Sequence, residues 1–90
     1  MRTLSRTSSF KRDYKREVRN SQWSVQAFMD VVSALAADIA LPEKFRDHAL
    51  TGQWKDHRDC HIRPDLVLIY RKSDDELQLV RIGSHSELGL

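Results

Sequence analysis

Apolar residues recur at two spacings along this chain, and the spacing changes near the middle. Phe10, Tyr14 and Val18 stand four apart and mark one stripe of a helix. Ahead of them, Arg2 to Thr7 suits a short strand. Ser8 or Ser9 offers an N-cap, because a short hydroxyl accepts from a free N–H of the first turn. Asn20 and Ser21 interrupt the stripe. Trp23, Ala27, Phe28, Val31, Val32, Leu35, Ala36 and Ile39 then give a broader apolar face, and so a second amphipathic helix. It should end near Ala40, since Pro42 disfavours helical geometry at Leu41. Two helices joined this tightly form a hairpin.

From Gly52 the period is two. Trp54 to Ile62 predicts a strand with His57, Asp59, His61 and Arg63 on one face. Pro64-Asp65 is a turn signal, Leu66 to Tyr70 an apolar central strand, and Ser73-Asp74-Asp75 a second turn. Leu77 to Ile82 is a third strand, ended by Gly83. The spacing favours an antiparallel meander. The expected fold is α+β: an N-terminal strand, a two-helix hairpin and a three-stranded antiparallel meander, with the helices on one face of the sheet. Ninety residues suit a single domain, 1–90, which buries roughly 60–65% of its unfolded surface.

Charge adds a direction. Residues 1–22 carry seven basic side chains (Arg2, Arg6, Lys11, Arg12, Lys15, Arg16, Arg19) against Asp13 and Glu17, a net of +5; the remainder carries eight basic and eleven acidic groups, a net of −3. A basic segment on a nearly neutral body suits a polyanion such as nucleic acid, or is simply a solvated helix face. The sole cysteine, Cys60, excludes an internal disulfide and fits a reducing cytoplasm. No apolar run approaches a membrane span, and no apolar stretch follows the basic N-terminus as in a secretory signal.

The chemistry concentrates in the C-terminal half. His48, His57, His61 and His85 all fall there, with Asp59 and Asp65 flanking His61, and with Arg63 and Arg81 in the same pattern. Imidazole exchanges protons near neutrality, and arginine grips phosphate through two donors. Three readings fit. One is acid–base cleavage of RNA, in which a ribose 2′-OH attacks the adjacent phosphorus and no metal or cofactor is needed. A metal site is disfavoured, because His57 and His61 on one strand lie ~13 Å apart and no cysteine pair is present. The third is a set of ordinary surface histidines.

The segments Phe45–Leu50 (FRDHAL), Gly52–Lys55 (GQWK), Arg58–Asp65 (RDCHIRPD), Leu68–Tyr70 (LIY) and Arg81–Leu88 (RIGSHSEL) resemble the YafQ branch of the RelE/ParE-like toxins of bacterial toxin–antitoxin modules. The first 40 residues match only in layout. The resemblance implies a ribosome-dependent mRNA interferase that cuts in the A site, held in check by a cognate antitoxin whose DNA-binding domain contacts operator DNA. It places His48 on the family's DHxL histidine, His61 and Asp65 on its HxxPD segment, and Arg81 and His85 on its RxGxH segment. His85 is then the expected general acid. His48, His61 and Asp65 share the base, orienting and phosphate-binding roles, and Arg81, Asp59 and Arg63 accompany RNA binding. Leu66 and Gly89 stand where the family can carry aromatics, which bears on codon preference. A gyrase-blocking toxin of the ParE type, or a weak toxin kept for repression, are the alternatives from other classes.

Overall fold

The computed structural model describes residues 1–90. Five strands form one sheet in the order β1-β5-β4-β3-β2, where β1 is Thr3–Arg6, β2 His48–Ala49, β3 Arg58–Arg63, β4 Leu66–Lys72 and β5 Glu76–Gly83. The meander β3-β4-β5 is antiparallel, as its turn spacing predicts, and β1 adds to β5 in parallel. The two-residue β2 pairs His48 with Asp59 and is too short to carry a periodicity.

Helix α1, Ser8–Glu17, is capped by Thr7 rather than by Ser8 or Ser9: the Thr7 hydroxyl accepts from the Phe10 N–H at 2.9 Å. Helix α2, Val25–Ala36, is capped by Ser24, so Trp23 precedes it. It stops four residues before the expected end at Ala40. Asp38 turns left-handed (φ 57°), and Ile39 lies exposed rather than in the core. The expected strand start at Trp54 is also displaced. Gly52–Trp54 is a 3₁₀ turn, and β3 begins only at Arg58.

Alternation sorts β4 onto two faces. Leu66, Leu68 and Tyr70 join Cys60, Leu77, Leu79 and Ile82 beneath Phe10, Phe28, Val31, Val32 and Leu35 of the helices. Val67 and Ile69 point the other way and pack with Leu88 of the short helix α3, His85–Leu88. Both faces of β4 are therefore covered, which is why it reads as a continuous apolar run.

Past Leu79, β5 has no strand neighbour on the β1 side, and α1 supplies the missing partners. The Thr7 hydroxyl donates to the Val80 carbonyl at 2.7 Å. The buried Asp13 carboxylate accepts from the Ile82 N–H at 3.2 Å, and Arg16 donates to the Ile82 carbonyl at 3.1 Å. Side chains thus continue the ladder where the backbone of β1 ends, giving Val80 and Ile82 partners that no strand supplies. This fixes the end of β5, from which Ser84 and His85 follow.

Candidate active site

Three elements bring the histidines together. β3 presents His61, α3 opens with His85, and β2 sets His48 opposite Asp59. The rings of His61 and His85 meet edge to face with centroids 4.8 Å apart. His85 is held from behind. Asp65, in the β3–β4 turn, accepts from the His85 backbone N–H at 3.0 Å and lies 2.7 Å from Nδ1. A capping box supports the same turn, with the Ser84 hydroxyl accepting from the Glu87 N–H and the Glu87 carboxylate from the Ser84 N–H. A β-bulge between His61 and Arg63 bends the strand here.

His48 Nδ1 faces two acceptors, the Arg46 carbonyl at 2.7 Å and Asp59 Oδ1 at 3.0 Å. Asp59 is only 2% exposed and accepts no well-aligned hydrogen bond at that oxygen. Burial pushes its carboxyl up, and the nearby His48, His61 and His85 pull against that rise. His61 moves the other way. Partial burial lowers its pKa, with His85, Arg46 and His48 adding to the fall and Asp59 opposing it. Asp65 is held below the usual carboxylate range by its two hydrogen bonds from His85.

A cleft of about 910 Å³ opens over these rings, lined by Lys44, Phe45, Arg46, His61, Arg63 and His85 among others. A second depression, with Lys44, Arg46, Asp47, His48 and His61, adjoins it. His61, Lys44 and Arg46 belong to both, so a chain running across the site passes all three histidines. The cleft brings imidazoles, a carboxylate-backed ring and cations together, groups of the kind that acid–base attack on a phosphodiester uses. Metal-ligating sets of three His, Cys, Asp or Glu side chains do not occur.

The profile of a bacterial toxin of the type II toxin–antitoxin system, YafQ, matches residues 2–89. The chain belongs to the YafQ toxin family. Over 50 residues it is 44% identical to the mRNA interferase toxin YafQ of Escherichia coli K12, a stretch covering 56% of this chain and 54% of that one. A YafQ-named chain of Haemophilus influenzae is 43% identical over 67 residues, 70% of this chain and 66% of its own length. The alignments thus span half to just under two thirds of these relatives. Structural likeness runs further. A copper-bound mutant toxin from Helicobacter pylori superposes with a TM-score of 0.92 at 42% identity, covering 98% of this chain and 99% of that one. YafQ in the E. coli DinJ–YafQ complex gives 0.86 at 29% identity, with 98% of each chain covered.

Within this YafQ-type site, His48, His61, His85, Asp59 and Asp65 come together. Two arginines named from sequence are otherwise engaged. Arg81 Nε donates to Asp13 at 2.6 Å and its Nη2 at 3.2 Å, so its guanidinium is committed to tying β5 to α1. Arg63 donates to the Gln22 carbonyl at 3.0 Å and lines the rim of the cleft. Asp59, grouped from sequence with RNA-binding residues, lies beneath His48, where burial denies it contact with a ligand. His57 is outside β3, its ring against Trp54 with centroids 5.4 Å apart. Lys44 and Arg46 were missed. They lie in a non-periodic stretch where only the pair of cations around Phe45 gave a signal. The Cys60 thiol, wholly buried and pushed up to about 12 by burial, stays protonated inside the core.

Proposed function

We infer that this chain is an mRNA interferase, the toxin half of a type II toxin–antitoxin pair, which cuts mRNA in the ribosomal A site. The observation that carries the reading is the contact between His61 and His85, two imidazoles with opposite backing: His85 against a carboxylate, His61 in a setting that favours its neutral form. Neutral His61 takes the proton of the ribose 2′-OH. The 2′-oxygen bonds to phosphorus as the bond from phosphorus to the 5′-oxygen breaks, and His85 gives that oxygen a proton. The products are a 2′,3′-cyclic phosphate and a free 5′-hydroxyl. General acid–base assistance of this kind contributes about 10²–10⁴-fold. His48, oriented by Asp59 and the Arg46 carbonyl, stands beside His61 to bind the phosphate or to share the base role.

The E. coli YafQ was solved in complex with DinJ as a toxin–antitoxin pair. By the same logic, an antitoxin from the same operon is the partner here, with operator DNA bound through that antitoxin. The test is cleavage-end mapping on translated mRNA, with wild type beside His85→Ala. Cutting by wild type and a loss of at least about 100-fold in the variant are expected. Unchanged cutting by His85→Ala removes the acid role. Intact mRNA with DNA-damage signalling in wild type replaces the whole reading with gyrase inhibition.

A further inference from the structure

The cations around the cleft are not equivalent. Arg81 and Arg16 are bound to Asp13, Arg58 to Asp47 and to the Tyr70 hydroxyl, and Arg63 to the Gln22 carbonyl. Lys44 lies over the Phe45 ring at 5.3 Å. Arg46 is exposed, and its guanidinium enters no ion pair or hydrogen bond of this kind, although it lines both parts of the cleft beside His61.

Its backbone is also unusual. Arg46 closes the 3₁₀ turn Glu43–Phe45 in the left-handed region (φ 51°, ψ 42°), where glycine or asparagine would sit with less strain. The strained position is fixed from both sides. Phe45 packs against the main core, and Asp47 accepts from the Tyr70 hydroxyl and from Arg58. The Arg46 carbonyl meanwhile takes His48 Nδ1 at 2.7 Å. One residue therefore orients one histidine through its backbone and reaches toward another with a free cation. Strain retained at such a point fits a functional constraint.

We propose that Arg46 is a catalytic residue of this cleft, whose free guanidinium grips the scissile phosphate and neutralises the charge that builds on it during attack by the 2′-oxygen. This rests on the reading of the cleft as an RNA-cutting site. It assigns to Arg46 the phosphate-gripping role that the sequence pattern gave to Arg81 and Arg63. Arg46 keeps its proton throughout; only His61 and His85 exchange theirs. The groups facing His61 are His85 on α3, His48 on β2, Asp59 on its own strand and Arg46, so removal of Arg46 takes away one of three positive or titratable neighbours that lower His61.

The experiment compares wild type with Arg46→Asn, which tolerates the left-handed backbone, and with Arg46→Lys, which keeps the charge. Single-turnover cleavage of ribosome-bound mRNA by Arg46→Asn should be about 100-fold slower at an equal or higher Tm, with part of the loss restored in Arg46→Lys. The His61 titration midpoint, followed by NMR, should rise in Arg46→Asn, which a purely structural role would not cause. Binding of a short 2′-O-methyl oligoribonucleotide, which lacks the attacking hydroxyl, should weaken, and its salt slope should fall by about 0.7 for the one lost phosphate contact. Cutting by Arg46→Asn within about twofold of wild type overturns the proposal, as does an equal loss in both variants. Failure of wild type to cut at all sinks the interferase reading instead. The oligonucleotide then decides for Arg46, and an unchanged Kd and salt slope overturn its role.

Discussion

Asp65 holds His85 twice: one carboxylate oxygen accepts the backbone N–H at 3.0 Å and lies 2.7 Å from ring Nδ1. The arrangement fixes both the start of α3 and the rotation of the imidazole, and leaves Nε2 as the ring nitrogen not engaged by Asp65. Asp65→Asn keeps the shape but replaces the anion with an amide that satisfies the ring less well. Cutting should fall by about 10- to 100-fold with little change in Tm, since Asp65 is exposed. A rate equal to wild type in a single-turnover assay would show that the ring needs no such support.

His61 should titrate below 6.5. Burial is the main cause, and His85, Arg46 and His48 add to it against the pull of Asp59. In His85→Gln the midpoint should rise, because the neighbouring His85 ring that helps to lower it is gone. The stability consequence has a definite sign. A histidine lowered on folding binds fewer protons than in the unfolded chain, so stability is complete above pH 6.5 and declines as pH falls from 6.5 to the folded value. NMR titration of the imidazole carbons and denaturant unfolding at several pH values check both parts.

The fold was largely legible because the sheet alternates and the helices carry stripes. The meander, the two helices and the turns at Pro64-Asp65 and Ser73-Asp75 follow from those patterns. The failures have physical causes. β2 is too short to show a period. The capping hydroxyl at Thr7 stood one residue ahead of two equally suitable serines. Trp54 looks like strand but closes a 3₁₀ turn that begins at Gly52 with φ 66°. The site was half legible. Histidines and carboxylates announce their chemistry by type, but arginines do not announce their partners. Whether the Arg81 guanidinium is free depends on Asp13, which sits 68 residues from it in the chain.

Asp13 should prove the most costly single loss in the helical half. It is 1% exposed and takes Arg81, Arg16 and the Ile82 N–H. Burial alone would raise its carboxyl. The Arg81 hydrogen bonds and the Ile82 N–H outweigh that, with charge from Arg81 and Arg16, and the net shift is downward. Asp13→Ala strands a partly buried guanidinium and a buried N–H, at a cost of about 3 kcal/mol. Because the folded pKa is depressed, this contribution is present above the unfolded carboxylate value near 3.9 and is lost as pH falls through the folded value. Urea unfolding of wild type and variant at pH 7 and pH 3 measures it. The difference should shrink at the lower pH.

Asp59 makes the opposite case, and it separates a functional carboxylate from a structural one. It is buried, its carboxyl is pushed up, and the exposed ring of His48 lies 3.0 Å from it. An acid raised on folding binds more protons in the native state, so its ionised form at neutral pH weighs against stability. Asp59→Asn removes a desolvated charge without emptying the space, and breaking the contact leaves only the exposed His48, which water can solvate. Tm at pH 7 should therefore stay level or rise, and the change of stability between about pH 4 and pH 7 should flatten. Cutting should nevertheless drop about tenfold, because His48 keeps only the Arg46 carbonyl as its guide. If Asp59 served the fold alone, the variant would lose Tm, and its activity would follow the folded fraction. Thermal unfolding and single-turnover cleavage on the same preparation distinguish the two outcomes.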